Sequence, residues 1–179
     1  MISILIVSWK AYAQLAIAIR HGEGYIHQTR GNLILMSVDE RLITRVLGAN
    51  TIAVVGLSKD PAKPSHDVAS YLQSHGYRIV PINPTIGEVL GEKAYKSLVD
   101  LPEELKHQID VVDIFRRAED VPPIVEEAIE LYTNYGHPTA VWMQLGIVNE
   151  DAAKRARAAG LDVVMDHCMK IEYGRLRPK

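Results

Sequence analysis

The strongest constraint on how this chain folds is an alternation. From Thr51 onward the runs TIAVVGL, YRIVPINP, IDVVDIF, TAVWMQLG and LDVVMD recur, and amphipathic segments fall between most of them. Short, almost wholly apolar and β-branched runs are strands buried on both faces, the situation of a parallel sheet covered by helices. The segment HDVASYLQSHG reads as a helix capped by Ser65 or Asp67 and stopped by Gly76. DVPPIVEEAIELYTNYG carries Pro122 and Pro123 in its first turn, where missing N–H groups cost little. NEDAAKRARAAG opens on Asn149 as cap and closes at Gly160, its mixed charges a solvated face. TIGEVLGEKAYKSLVDLPEEL is less regular and reads as a short strand or turn followed by a helical turn. The expected fold is α/β: one domain built on a Rossmann-like open parallel sheet with helices on both faces.

The pattern changes at Met36, so residues 1–35 are expected to be an extension, non-native or poorly packed, and residues 36–179 the Rossmann-like domain. ISILIVSWKAYAQLAIAI is broken by Lys10 and Gln14, which makes it a poor membrane span. Lys10 also lies inside the apolar stretch, whereas a signal peptide places its charge ahead of it. RHGEGYIHQTRGN reads as loop. Ser37 and Glu40 then stand at capping-box spacing, and Leu42, Ile43, Val46 and Leu47 form one apolar stripe ended by Gly48.

Composition narrows the functional classes. With 47% hydrophobic and 23% charged residues, the 179-residue chain has the make-up of a soluble globular protein of one domain. A net charge of −2 supplies no global field for nucleic acid or an anionic membrane, so neither is an expected partner. Cys168 is the single cysteine, which excludes an internal disulfide and suits a reducing cytoplasm.

In an open parallel sheet, ligands sit beyond the carboxyl ends of the strands. Here those tips are Gly56–Lys59, Ile82–Thr85 and Ile114–Arg117. Gly56 permits a tight turn and a close approach of backbone to ligand. Ser58 and the N–H groups from Ser65 to Asp67, at a helix start, suit phosphate oxygens, with Lys59 and Lys63 adding charge. His66, beside the loop, is a hydrogen-bond candidate or an ordinary solvated histidine. A dinucleotide turn would need further glycines where Ser58 and Pro61 stand, and an acidic residue near Asn83 to hold a ribose. The turn keeps the outline of an NAD site without its chemistry. An NAD(P)-binding oxidoreductase or redox sensor is therefore the alternative reading, with Arg116 leaving NADP open.

The blocks GLSKDPAKPSHDVASYL, YRIVPINPTIGEVLG, IDVVDIFRRAEDVP and WMQLGIVNEDAAKRARAAGLDVVMDHCMKIEY, in this order, resemble the small stand-alone CoA-binding proteins. These are similar to the CoA-binding domain of the succinyl-CoA synthetase α subunit. The resemblance covers residues 38–176. It implies a CoA or acyl-CoA ligand whose phosphates meet Gly56, Leu57, Ser58, Lys59 and Asp60, with Lys63, Pro64, Ser65 and His66 alongside. It also implies a pocket lined by Asn83, Pro84 and Thr85, with Ile114, Phe115 and Arg116 flanking the adenine or its ribose. In the synthetases the phosphorylated histidine belongs to a second domain, for which this chain has no room.

No residues converge on catalysis or a metal. Asp166-His167-Cys168-Met169-Lys170 lacks a second pair of zinc ligands, and Cys168 reads as a small buried hydrophobe. Trp142 reads as core and Gln144 as the one polar tip of its strand, within reach of a pantetheine arm. Arg117 is expected to pair with Glu119 or Asp120, Arg116 to meet ligand. Gly56→Val is expected to block the diphosphate and leave the fold intact. The expected role is binding, in carriage, sensing or regulation, as a homodimer or with a partner enzyme.

Overall fold

A computed structural model of the chain describes residues 24–29 and 32–176, with side chains from residue 40 onward. It divides into two compact units, Met1–Arg45 and Val46–Lys179. In the first, β1 (Gly24–Thr29) and β2 (Asn32–Ser37) pair antiparallel, from Gly24 opposite Ser37 to Thr29 opposite Asn32. A helix, α1 (Val38–Val46), follows directly. The stretch that reads as loop is thus a hairpin. Its glycines and polar residues mask strand formers such as Tyr25, Ile26 and Leu33–Leu35. The boundary expected at Met36 falls inside β2, and the apolar segment from Ile2 to Ile19 lies outside the described residues.

The second unit contains β3 (Thr51–Val55), α2 (Pro64–Ser74), β4 (Arg78–Ile82), a small hairpin of β5 (Glu88–Val89) and β6 (Glu92–Lys93), and α3 (Glu103–Lys106). Then come β7 (Val111–Ile114), α4 (Val121–Tyr135), β8 (Ala140–Met143), α5 (Glu150–Ala158), β9 (Asp162–Val164) and α6 (Met169–Leu176). Five strands form one parallel sheet in the order β4-β3-β7-β8-β9. Counted along the chain this is 2-1-3-4-5, a doubly wound order whose direction reverses between β3 and β7. The α/β, Rossmann-like expectation holds.

Strand alternation sorts the core into two faces. Ala53 and Val55, Val112 and Ile114, Val141 and Met143, and Val163 join the apolar residues of α4 and α5 in one buried cluster. The intervening residues, among them Ile52, Val54, Asp113 and Trp142, point to the opposite face, where α2 and α6 pack together. Asp113 is the exception in an otherwise apolar row. Trp142 is fully buried, as its sequence context predicts, and its Nε1 donates to His167 O at 2.7 Å. Pro81, which has no N–H, sits in the edge strand β4, and Tyr95 N donates to its carbonyl at 2.9 Å, covering that edge.

Two local expectations change. Helix α2 starts at Pro64 after Lys63, without a side-chain cap. Ser65 instead accepts from Ser58 N, and Asp67 pairs with Lys170 Nζ at 2.8 Å. Helix α6 is not legible in the sequence, because its core side consists of little more than Met169 and the buried Glu172. Asn149 does cap α5, its Oδ1 accepting from Ala152 N at 2.9 Å. Among the described residues no helix is long and apolar enough to cross a membrane.

Candidate functional site

The chain leaves β3 at Gly56 and leaves β7 at Phe115, so the two exits meet at the switch point. They meet tightly. Gly56 has φ +88°, and a Cβ there would lie 2.9 Å from Phe115 O and 2.9 Å from Arg116 Cδ. Glycine is needed at this position for one strand exit to pass another, before any ligand is considered. The expectation that Gly56→Val spares the fold is therefore corrected, since the added side chain meets backbone.

Beyond Gly56 the loop holds itself. Ser58 N donates to Ser65 Oγ at 3.1 Å, Asp60 N to Ser58 Oγ at 3.1 Å, and Ala62 N to Asp60 Oδ1 at 2.9 Å. Asn83 anchors it from the neighbouring strand: its Nδ2 donates to Leu57 O at 2.9 Å, while its Oδ1 accepts from Thr85 N and Oγ1. The position where a dinucleotide site would carry a ribose acceptor is thus occupied in holding the loop.

Two cavities flank the crossing, one on each face of the sheet, and Gly56 and Arg116 border both. The larger, about 620 Å³, lies on the α2 and α6 face. Of the sequence-predicted residues it gathers Gly56, Ser58, Lys63, Pro64, Ser65, Phe115 and Arg116. Gln144, which the sequence places within reach of a pantetheine arm, lines it too, and to these the structure adds Leu145, Ile147, Cys168 and Ile171 at its other end, and Arg117 at its rim. The smaller, about 320 Å³, takes in Pro84 and Arg116 but also Glu119, Asp120 and Glu127 from the α4 side, together with Lys96. Leu57 and Ile114 bury their side chains in the core, and Lys59, Asp60, His66, Asn83 and Thr85 line neither cavity.

The two cavities differ in charge. Arg117 reaches Glu119 and Asp120, each at 3.2 Å, as expected from the sequence. Among the described residues Lys63 and Arg116 have no acidic partner, so the larger cavity carries cations available to an anion. Behind Gln144 lies Asp113, fully buried and held by Gln144 Nε2 at 2.8 Å and 3.0 Å to its two oxygens. Burial pushes the Asp113 carboxyl up to about 7, against the pull of Gln144 and the Ile114 backbone in the other direction. Burial also raises Glu127 in the smaller cavity, where its Oε2 accepts from Leu98 N at 2.9 Å.

Sequence reasoning misses Asp113 because a lone acid inside an apolar run, VVDIF, gives no hint of its partner thirty-one residues away. The Asp166–Lys170 cluster dissolves into structural roles: Asp166 Oδ1 accepts from Gly146 N at 2.7 Å, and Lys170 bridges to Asp67. No metal-binding group occurs among the described residues. Cys168 is half-buried and lines the larger cavity, rather than sitting in the core.

Known proteins resemble this chain in sequence and fold. The model of the family described as CoA binding domain matches residues 50–174. The uncharacterized protein YneT of Bacillus subtilis is 43% identical over 122 residues, covering 68% of this chain and 84% of that one. A solved structure from Thermus thermophilus, cell-free ID.343, superposes with a TM-score of 0.69 at 37% identity, over 78% of this chain and 99% of that one. An ADP-forming acetate–CoA ligase (II) of Archaeoglobus fulgidus is 30% identical over 82 residues, 45% of this chain but 12% of the ligase. With a family match that spans the whole five-stranded sheet and both cavities, the chain belongs to the CoA binding domain family.

Proposed function

We propose that this protein binds CoA or an acyl-CoA in the larger cavity, as a carrier, sensor or regulatory module without catalysis of its own. The observation that carries the reading is the polarity of that cavity. Lys63 and Arg116, without acidic partners, stand beside the glycine turn at one end, and Leu145, Ile147 and Ile171 stand at the other. A ligand with phosphates at one end and a long, weakly polar arm matches both. The phosphates would lie against the Gly56–Ser58 turn and the start of α2, where peptide dipoles and cations favour an anion. The arm would run past Phe115 toward Gln144 and Cys168. Asn83 Oδ1 already accepts from Thr85 N and Oγ1, which disfavours a nicotinamide dinucleotide, since its ribose needs an acceptor there. A reducing cytoplasm is the compartment this reading assumes, in keeping with the single cysteine.

Native mass spectrometry of the purified protein, with melting curves against CoA, acetyl-CoA and the nicotinamide dinucleotides, tests the proposal. A CoA mass on the protein, or stabilisation approaching about 2.7 kcal/mol at a hundredfold excess over Kd, is the expected result. Stabilisation by a nicotinamide dinucleotide alone would overturn it.

A further inference from the structure

Gln144 is 4% exposed, yet it lines the larger cavity. Its Nε2 is committed to both oxygens of Asp113, which sits on the neighbouring strand β7. An ionised carboxylate only accepts hydrogen bonds, so the amide must turn its NH₂ toward Asp113 and its carbonyl away. Among the described residues Oε1 accepts no hydrogen bond from the protein, and it is not sealed off as a buried unsatisfied atom. A nearly buried acceptor with a fixed direction and no protein partner faces the cavity.

We propose that Gln144 determines specificity in this cavity: its Oε1, oriented by Asp113, accepts a hydrogen bond from an N–H or S–H donor on the arm of the ligand. Asp113 is the positioning residue and touches no ligand. The inference rests on the CoA reading, because pantetheine supplies amide N–H groups along its length and a thiol at its end. A wholly aliphatic arm would leave the carbonyl unpaired in a closed site, at a cost comparable to a lost hydrogen bond.

The pair can be inverted. In Asp113→Asn the new amide can donate to Gln144 Oε1, which turns Nε2 toward the cavity and presents a donor where an acceptor stood. Adding Gln144→Glu restores an acceptor. In D113N/Q144E the amide introduced at position 113 donates to one oxygen of the introduced carboxylate, and the other oxygen is aimed at the ligand. Binding of CoA, acetyl-CoA and 3′-phospho-ADP, which lacks the arm, is measured for each variant at about pH 8.5, where Asp113 of the unaltered protein is ionised. D113N is expected to weaken CoA about tenfold, to leave 3′-phospho-ADP unchanged, and to be reversed in D113N/Q144E. If acetyl-CoA follows CoA, the donor is an amide N–H; if acetyl-CoA is indifferent to the variants, the donor is the thiol it lacks. Equal loss of CoA and 3′-phospho-ADP in D113N, or no recovery in the double variant, overturns the proposal. Should D113N not fold, Q144L serves: loss of CoA alone supports the assignment, and unchanged CoA affinity overturns it. Wild-type protein that binds neither CoA nor 3′-phospho-ADP would instead remove the CoA reading itself.

Discussion

The two cavities on either side of the Gly56–Phe115 crossing share a wall but not a chemistry. The larger one has Lys63 and Arg116 without acidic partners, and no carboxylate in its lining. The smaller one carries Glu119, Asp120 and Glu127, along with Lys96 and the shared Arg116. On these charges the first favours an anion more than the second does, although sheet topology would allow either. The difference teaches that the switch point only offers a crevice. The side chains delivered to each face decide which half of it is used.

The crossing itself is the place to break this comparison most completely. Gly56→Val forces a β-branched residue to φ +88° and drives its Cβ to 2.9 Å from Phe115 O. A loss of about 3 kcal/mol or more is expected, from strain and overpacking together. Urea denaturation measures it, and an unchanged midpoint would show that the exits can part freely. Next in size is Arg116→Ala, which removes the cation common to both cavities. CoA affinity should fall by about 2 kcal/mol, roughly thirtyfold, with the melting temperature little changed. Titration calorimetry tests this, and equal affinity would place the phosphates elsewhere.

Buried Asp113 sharpens the contrast through pH. Its carboxyl is raised from 3.8 to about 7 in the folded protein, by burial. Between those values the unfolded chain releases a proton that the folded protein keeps, so stability falls as pH rises through the window and levels off above about 7. The slope attributable to Asp113 approaches about 1.4 kcal/mol per pH unit. In Asp113→Asn that contribution should vanish, and identical pH profiles for the two proteins would contradict it. The smallest effects are expected at Arg117→Ala and Glu127→Gln. Arg117 spends its charge on Glu119 and Asp120 at the surface, and Glu127 belongs to the smaller cavity. Neither should change CoA affinity measurably in the same titration, and a large loss at Glu127→Gln would move the ligand to the other face.

Much of the frame was legible because it rests on local physics. Continuous apolar runs could only be doubly covered strands, Pro122 and Pro123 mark a helix start, and Asn149 carries its own capping oxygen. Pairing of Arg117 with its acidic neighbours follows from their spacing of two and three residues. The hairpin β1-β2 and helix α6 were not legible, since glycine and polar residues hide the first and a thin apolar side hides the second. At the site, the turn residues announced themselves by type, but their division of labour did not. Ser65, Asn83 and Asp60, which the sequence offers as ligand contacts, also brace the loop, and of these three Ser65 lines the larger cavity.

By itself, then, the sequence determined the α/β alternation, the glycine turn at the end of the first sheet strand, and the loss of the features that hold NAD. Those depend on neighbours along the chain, and their signals are periodicity, capping and backbone freedom. Only the tertiary structure decided that Gly56 must clear Phe115, that Arg116 stands between two cavities, and that Asp113 holds Gln144. Each of these joins residues from different strands, and the register of a parallel sheet is set by packing across faces rather than by any local pattern.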